Sequence, residues 1–275
     1  MDLRKFRLST DQIEQGKACL NYQPFILDDD ICTGVAYSWI STSDGGRSQN
    51  VPDFVLDRRT CDGRLWEHFW DANRRLAAMY DDFVDAIVKH VPGGTLLDVA
   101  CNNGYFLVRG MERGMSQCVG YDLADYSGSV ALLNSVVGTK VKFHNAGYDS
   151  WKHEIAGCEQ YDVVVASNIM QHISDPLYFL NFLGSRAKQA LFLFHGIGDT
   201  DNYLIYYSKP NRFYPATERP FPTGFDNNVG LSRGLLLEGV KQLGFTNIIE
   251  IPRRHTWLPN SFLDQGNQRA FLCLR

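Results

Sequence analysis

Two acids and three small residues stand at spacings that suit one kind of chemistry. Asp98 lies inside the short apolar run Leu96 to Val99, Ala100, Asn102 and Gly104 follow at intervals of two, and Asp122 closes a second apolar run eighteen positions after Gly104. Small residues at a strand-to-helix turn let a ligand approach the backbone. An acid about 20 residues further on can accept from the two hydroxyls of a ribose. Such a set points to a ligand that contains a nucleoside. The turn decides which one, because a dinucleotide fold brings its backbone against a pyrophosphate, usually through Gly-x-Gly-x-x-Gly. Two of those small positions are here Ala and Asn. Ala is the smallest replacement for glycine, and Asn tolerates positive φ better than most residues, so a tight turn is still accessible.

The elements that must position these residues follow from the pattern. Thr95 to Val99 reads as a strand, Ala100 to Gly104 as the turn, Tyr105 to Arg113 as a helix stopped by Gly114, and the run up to Asp122 as a second strand. That is a βαβ unit with an acceptor at the tip of its second strand. The series Asp98-x-Ala100-x-Asn102-x-Gly104 resembles the first motif of the class I methyltransferases that use S-adenosyl-L-methionine. The resemblance implies a turn passing under the methionine part of that cofactor, which carries an ammonium, a carboxylate and a sulfonium but no phosphate. An acid beside the turn suits an ammonium and would repel a pyrophosphate. An NAD-linked oxidoreductase on a true Rossmann sheet and a cofactor-binding protein without catalysis stay open, as does an ordinary βα turn.

After Asp122 the sequence reads helix (126–137), strand (141–144), strand (161–166), helix (177–187) and strand (191–195), with a helix or loop between the first two strands. Short apolar strands alternating with helices imply a mostly parallel sheet covered on both faces. Ligands in such sheets collect at the carboxyl ends of the strands. The positions selected are Asp98 to Gly104, Asp122, Asn145 to Gly147, Asn168 to His172, and His195. The methyltransferase resemblance assigns Asp122 to the ribose hydroxyls, Leu123 to packing on the adenine, Asn145 and Ala146 to the adenine edge, and Asn168 or its backbone to the ligand. His172, in Ser-Asn-Ile-Met-Gln-His-Ile-Ser-Asp-Pro, is the candidate general base, with a structural His bonded to backbone as the alternative. Pro176 in a first turn, capped by Asp175 or Ser174, starts the next helix. Residues 199–230 form an insertion rich in aromatics with Arg212 and Arg219, which either stack a planar or anionic substrate or pin the loop. The tail, Gly244 to Ile251 and Arg269 to Leu274, resembles the closing antiparallel pair of the methyltransferase sheet.

Residues 1–92 read as an N-terminal extension with cover helices, and 93–275 as the cofactor-binding domain. Ser9 or Thr10 caps a short helix to Leu20, and Phe25 to Leu27 with Ile31 to Thr33 flank an acidic turn, a hairpin signature. This stretch loosely resembles the leader of methyltransferases related to those acting on 5-hydroxyuridine in the tRNA wobble position, with Gln23 where that leader has His. Ser41 to Pro52 is polar and Gly-rich, hence a loop. Cys61 to His90 carries Leu65, Phe69, Leu76, Met79, Tyr80, Phe83, Ile87 and Val88 at intervals of three and four, one long amphipathic helix or a broken pair. Tyr80 and Trp70 on it either face the sulfonium or fill the core.

Net charge −4 and a pI near 6.0 argue against a broad nucleic-acid surface. No run approaches the ~20 apolar residues of a membrane span, and no signal peptide is visible. The 7 cysteines are scattered without a Cys-x-x-Cys pair, so neither disulfides nor a metal site are indicated and a cytoplasmic protein is expected. Cys101 reads as a small buried residue rather than a nucleophile. The function expected is methyl transfer to an O, N or C nucleophile of a small-molecule acceptor. RNA modification of the wobble-uridine type is the alternative, with the donor either S-adenosylmethionine or its carboxylated form.

Overall fold

The computed structural model describes residues 1–20, 23–34, 55–61, 63–146, 159–173, 175–207, 229–252 and 268–275. The expected loop Ser41 to Pro52, Gly147, Ser174 and residues 208–228 of the insertion, with both its arginines, lie outside the described residues. The chain divides into two compact units, Met1–Glu159 with Pro252–Gly266, and Gln160–Ile251 with Asn267–Arg275.

The first unit starts with helix α1 (Thr10–Cys19), whose Ser9 forms a reciprocal capping box with Gln12, satisfying two end groups of the helix at once. Strands β1 (Phe25–Ile26) and β2 (Ile31–Thr33) pair antiparallel across the acidic turn, as expected. A third strand that the sequence pattern did not suggest, β3 (Val55–Asp57), joins β2. The apolar periodicity from Cys61 onward resolves into one helix, α2 (Gly63–His90). Its apolar face is fully buried at Phe83, Val84 and Ile87, and Gly93, at φ 71°, turns the chain after it.

Then comes the βαβ unit: β4 (Thr95–Val99), α3 (Tyr105–Glu112) and β5 (Gln117–Asp122), followed by α4 (Ser127–Val137) and β6 (Lys142–Asn145). The three strands are parallel, with Asp98 beside Gly120 and Asp122 beside Asn145. Gly120 has a packing reason. A Cβ there would lie 2.5 Å from both Cys101 Sγ and Leu107 Cδ1, so the packed Cys101 and Leu107 side chains would have to shift.

An ionic cluster fastens α2 to α3. Asp81 accepts from Arg109 Nε and Nη2, both at 2.8 Å, and from the Tyr105 hydroxyl at 3.0 Å. Burial alone would raise the Asp81 pKa, but the guanidinium forked onto it carries it below the usual value. Tyr80 takes the core-filling role, while Trp70 is only half-buried. Tyr80 is buried and packs edge-on to Tyr105, ring centroids 5.3 Å apart. Trp70 packs on Trp66 and carries the Arg4 guanidinium 5.5 Å from its ring centre.

The second unit holds β7 (Tyr161–Ser167), α5 (Pro176–Arg186), β8 (Ala187–Gly196), α6 (Arg233–Gln242), β11 (Asn247–Glu250) and β12 (Gln268–Leu274). Asp175 caps α5, its side chain accepting from Tyr178 N at 2.9 Å, and Pro176 opens the first turn. β7 and β8 are parallel, and β12 runs antiparallel to both β8 and β11. The insertion is bounded by a strand pair the sequence did not announce, β9 (Ile205–Tyr207) against β10 (Val229–Leu231). With β4, β5 and β6, the strands β7, β8, β11 and β12 are the seven of a Rossmann-like sheet, mostly parallel with an antiparallel hairpin at its end. No described helix is long and apolar enough to cross a membrane.

Candidate active site

The turn after β4 takes the conformation its small residues allow. Ala100, Asn102 and Gly104 all have positive φ, at 61°, 55° and 86°, so the chain alternates in and out of the left-handed region at the spacing of two seen in the sequence. Almost every backbone donor of the turn is engaged. Cys101 N donates to Tyr121 O, Asn102 N to Asp122 Oδ2 at 2.9 Å, Asn103 N to Asn102 Oδ1 at 3.0 Å, and Gly104 N to Cys101 O. The first amide of α3, Tyr105 N, donates to Gln23 Oε1 at 2.8 Å.

Gln23 and Asn103 are the residues that sequence reasoning missed as parts of this site. Gln23 is buried. Its Nε2 donates to Cys101 O at 3.3 Å while its backbone N–H donates to Asn103 Oδ1 at 3.2 Å. Asn103 Nδ2 reaches Cys19 O and Ser129 Oγ, both at 2.9 Å. The leader thereby braces the turn from outside the βαβ unit. Only the departure at Gln23 marked that position in the sequence, and nothing in local pattern tied it to a turn some eighty residues away.

Asp98 is buried and its Oδ2 finds no hydrogen-bond partner among the described residues. Burial first, and the Asp122 charge second, push its carboxyl well above the usual range. A lone carboxylate in such a place is costly unless a cation meets it. Asp122 is held differently, with Oδ2 on Asn102 N and Oδ1 on Ala124 N at 3.0 Å. Desolvation raises its pKa against the opposing effect of those backbone donors. Each oxygen keeps a lone pair, so the carboxylate is oriented but not saturated. Leu123, beside it, is 73% exposed.

Asn145, an exposed residue, folds its amide back over the acid's turn. Nδ2 donates to Asp122 O at 3.2 Å and Leu123 O at 2.9 Å, so the side chain fixes the acid's turn. Ala146 N donates to Asp122 O at 2.9 Å. These residues of the first unit gather around the carboxyl ends of β4, β5 and β6. Their chemistry fits S-adenosylmethionine: an unpartnered buried acid for an ammonium, a constricted turn for close approach, a half-used carboxylate for a diol, and an open apolar face for a base.

In the second unit, Asn168 follows β7 at φ 53° and donates its N–H to Phe194 O at 2.7 Å. His172 ends a 3₁₀ turn (Met170–His172), is exposed, and has its pKa lowered by desolvation. The ring therefore favours the neutral form, which can accept a proton. His195, near the end of β8, is buried, and burial with the neighbouring His172 pushes its pKa down to about 3.

A ubiquinone biosynthesis O-methyltransferase from Bordetella avium is 26% identical over 134 residues, 46% of this chain and 53% of that protein. A tRNA U34 carboxymethyltransferase from Campylobacter lari is 29% identical over 106 residues, 38% of this chain and 34% of that protein. The chain thus spans about half the length of the first and a third of the second. In fold it is similar to an O-methyltransferase family protein from Burkholderia thailandensis, with TM-score 0.51 at 17% identity, covering 79% of this chain and 62% of that one. The model of the methyltransferase domain matches residues 70–211, just over half of the chain, from within α2 through the βαβ turn to β9, and on that match the chain belongs to the class I S-adenosylmethionine-dependent methyltransferases.

Proposed function

We propose that the chain is an enzyme that moves the activated methyl group of S-adenosylmethionine to an O, N or C nucleophile of a small-molecule acceptor. The observation that carries the reading is Asp98, a buried acid whose Oδ2 has no partner among the described residues, ahead of a turn with three positive-φ positions. Asp98 would pair with the ammonium, Ala100, Asn102 and Gly104 would let the backbone reach the methionine part, Asp122 would accept from the ribose diol, and Leu123 would lie against the adenine. Asn145 and Ala146 hold the Asp122 turn in place, and Asn168 is proposed to face the ligand. The cofactor supplies a methyl carbon already bonded to a cationic sulfur. The nucleophile forms its bond to that carbon as the C–S pair returns to sulfur. Where the nucleophile is a hydroxyl or an amine, His172 is the proposed acceptor of its proton. Holding two centres in line is worth up to ~7–11 kcal/mol, against a further ~10²–10⁴-fold from a base. Positioning is therefore the main task of the fold.

The acidic balance of the chain and its likeness to a ubiquinone biosynthesis O-methyltransferase support a small molecule. A second reading, modification of a wobble uridine in tRNA, is favoured by the likeness to a tRNA U34 carboxymethyltransferase and by the β1–β2 hairpin of the leader. Calorimetry with S-adenosylhomocysteine and with NAD tests the cofactor. Micromolar binding of the first and none of the second is expected, with Asp122→Ala weakening the first at least tenfold. Unchanged affinity in that variant would remove the ribose assignment, and preference for NAD would remove the reading itself. Methyl incorporation into bulk tRNA, measured beside small phenols and amines, separates the two acceptor classes.

A further inference from the structure

The bonds that place Gln23 on the turn continue beyond it. The Gln23 carbonyl accepts from Thr33 Oγ1 at 3.1 Å. The Thr33 carbonyl accepts from Asn73 Nδ2 of α2, and the same nitrogen reaches Phe25 O at 3.3 Å. Hydrogen bonds therefore run without a gap from α2, through the end of β2, to Gln23, and from there to Cys101 O, Asn103 Oδ1 and Tyr105 N. Each polar atom of Gln23 is committed, with the carbonyl given to Thr33 and the other three to the turn. Thr33, Asn73 and Gln23 are all buried, so water does not replace a bond that is lost. Local sequence shapes the crossing. Pro24 biases Gln23 toward an extended backbone. Gly34 has φ 129°, and a Cβ there would stand 3.0 Å from Pro24 Cα and 3.3 Å from Gln23 O, so the absence of a side chain lets β2 end this close to Gln23.

We propose that Thr33 and Asn73 are positioning residues for the methyl donor. They act through Gln23, whose orientation keeps the turn from Ala100 to Gly104 in the shape the cofactor meets. The turn needs support from outside. Ala100 holds φ 61° with no polar side chain to stabilise that conformation, and strained backbone persists only where its surroundings over-determine it. What the Thr33 hydroxyl adds is direction rather than bulk. Valine has nearly the same shape, suits a strand equally and would pack the hairpin as well, but it leaves the Gln23 carbonyl without its donor. Gln23 is then free to rotate, and Tyr105 N and Cys101 O are held less of the time. Asn73 acts one step earlier, by fixing the end of the strand that carries the hydroxyl.

The proposal rests on the methyl-transfer reading, and the test separates the two. S-adenosylhomocysteine is titrated by calorimetry into the full chain, into Thr33→Val and into Thr33→Ser. Urea unfolding and the exchange rate of the Tyr105 amide, read by NMR without ligand, are measured beside it. Thr33→Val keeps the volume and loses the hydroxyl, whereas Thr33→Ser keeps the hydroxyl and loses a methyl group. Both are expected to lower the urea midpoint. Thr33→Val alone is expected to weaken S-adenosylhomocysteine at least fivefold and to speed exchange at Tyr105 at least fivefold, with Thr33→Ser within twofold of the parent in both. A merely structural residue would give an affinity that follows stability. If Thr33→Val fails to fold, Asn73→Leu takes its place, with affinity down at least threefold and faster exchange at Tyr105. Equal loss of affinity in the valine and serine variants would overturn the proposal while leaving methyl transfer standing. So would an affinity within twofold of the parent in Thr33→Val or its replacement, or weaker binding with Tyr105 exchange unchanged. Failure of the parent chain to bind S-adenosylhomocysteine would overturn both.

Discussion

The turn after β4 and the end of β7 share a device and use it to opposite ends. Each follows a parallel strand, and each puts a non-glycine residue into the left-handed region, Ala100 and Asn102 in one and Asn168 in the other. Around the first turn the protein answers its own polar groups: Gln23, Asn102 and Asp122 take up the backbone from Cys101 to Tyr105. Around Asn168 the backbone is answered, but Asn168 Oδ1, Gln171 Oε1 and the His195 ring nitrogens find no partner among the described residues. The difference teaches that the turn after β4 is closed largely by its own hydrogen bonds, with Asp98 Oδ2 left over, whereas side-chain acceptors at the end of β7 find no partner among the described residues.

The largest effect expected from breaking this contrast is at Asp98. Asp98→Asn removes the charge proposed to meet the ammonium. Loss of one charged hydrogen bond, about 1.5–3 kcal/mol, predicts S-adenosylhomocysteine affinity down roughly 10–100-fold by calorimetry. The same variant should be more stable than the parent without ligand. The folded pKa of Asp98 is raised, so its contribution to stability is fully present below the unfolded carboxyl value and is lost as pH rises through the folded value. The gain in Tm should therefore be small near pH 4 and grow toward neutrality. Equal Tm at both pH values, or unchanged affinity, would show that Asp98 is an ordinary core acid.

Gln23 comes next. Gln23→Ala strands Tyr105 N at the head of α3 and releases Cys101 O, while leaving Asp98 and Asp122 in place. Two lost hydrogen bonds at about 1 kcal/mol each, with one buried donor orphaned, predict roughly tenfold weaker S-adenosylhomocysteine binding and stability lower by about 2 kcal/mol in urea unfolding. If stability falls but affinity holds, the leader supports the fold and not the turn.

How much of this was legible in the sequence depends on how far apart the partners lie. Asp98, the spacing of Ala100, Asn102 and Gly104, and Asp122 at the strand tip were readable because one βαβ unit holds them, and local patterning decides a βαβ unit. The positive φ at Asn102 followed from its side chain. The capping of α1 by Ser9 and of α5 by Asp175 was equally local. Gln23 bracing Tyr105 was not, since the two meet only through tertiary structure. For the same reason β3, β9 and β10, three residues each, are too short for alternation to register and exist by pairing. Asn145 was read at the adenine edge, and its amide nitrogen donates to the carbonyls of Asp122 and Leu123. Residue type gave the place, and only coordinates gave the direction. The orphaned ring of His195 was invisible, because an apolar strand with one His looks the same whether or not the ring has a partner.

The smallest effect gives the finest comparison of the two turns, through glycine at matched backbone angles. Asn102 sits at φ 55° and Asn168 at φ 53°, so Asn→Gly relieves similar strain and adds a similar cost of about 0.5–1 kcal/mol in chain entropy at both. What differs is the side chain removed. Asn102 Oδ1 accepts from Asn103 N at 3.0 Å, a bond that glycine forfeits. Asn168 Oδ1 is buried and accepts from nothing described, so its removal ends a desolvation cost of about 1–3 kcal/mol. Asn102→Gly should therefore leave stability unchanged or lower by up to ~1 kcal/mol, and Asn168→Gly should raise it by about 1 kcal/mol. Ala100→Gly, which removes no hydrogen bond in either direction, should fall between them. Urea unfolding of the three variants without ligand reads the order directly. The reverse order would mean that Asn168 is satisfied within the fold and the asymmetry between the two turns is not real.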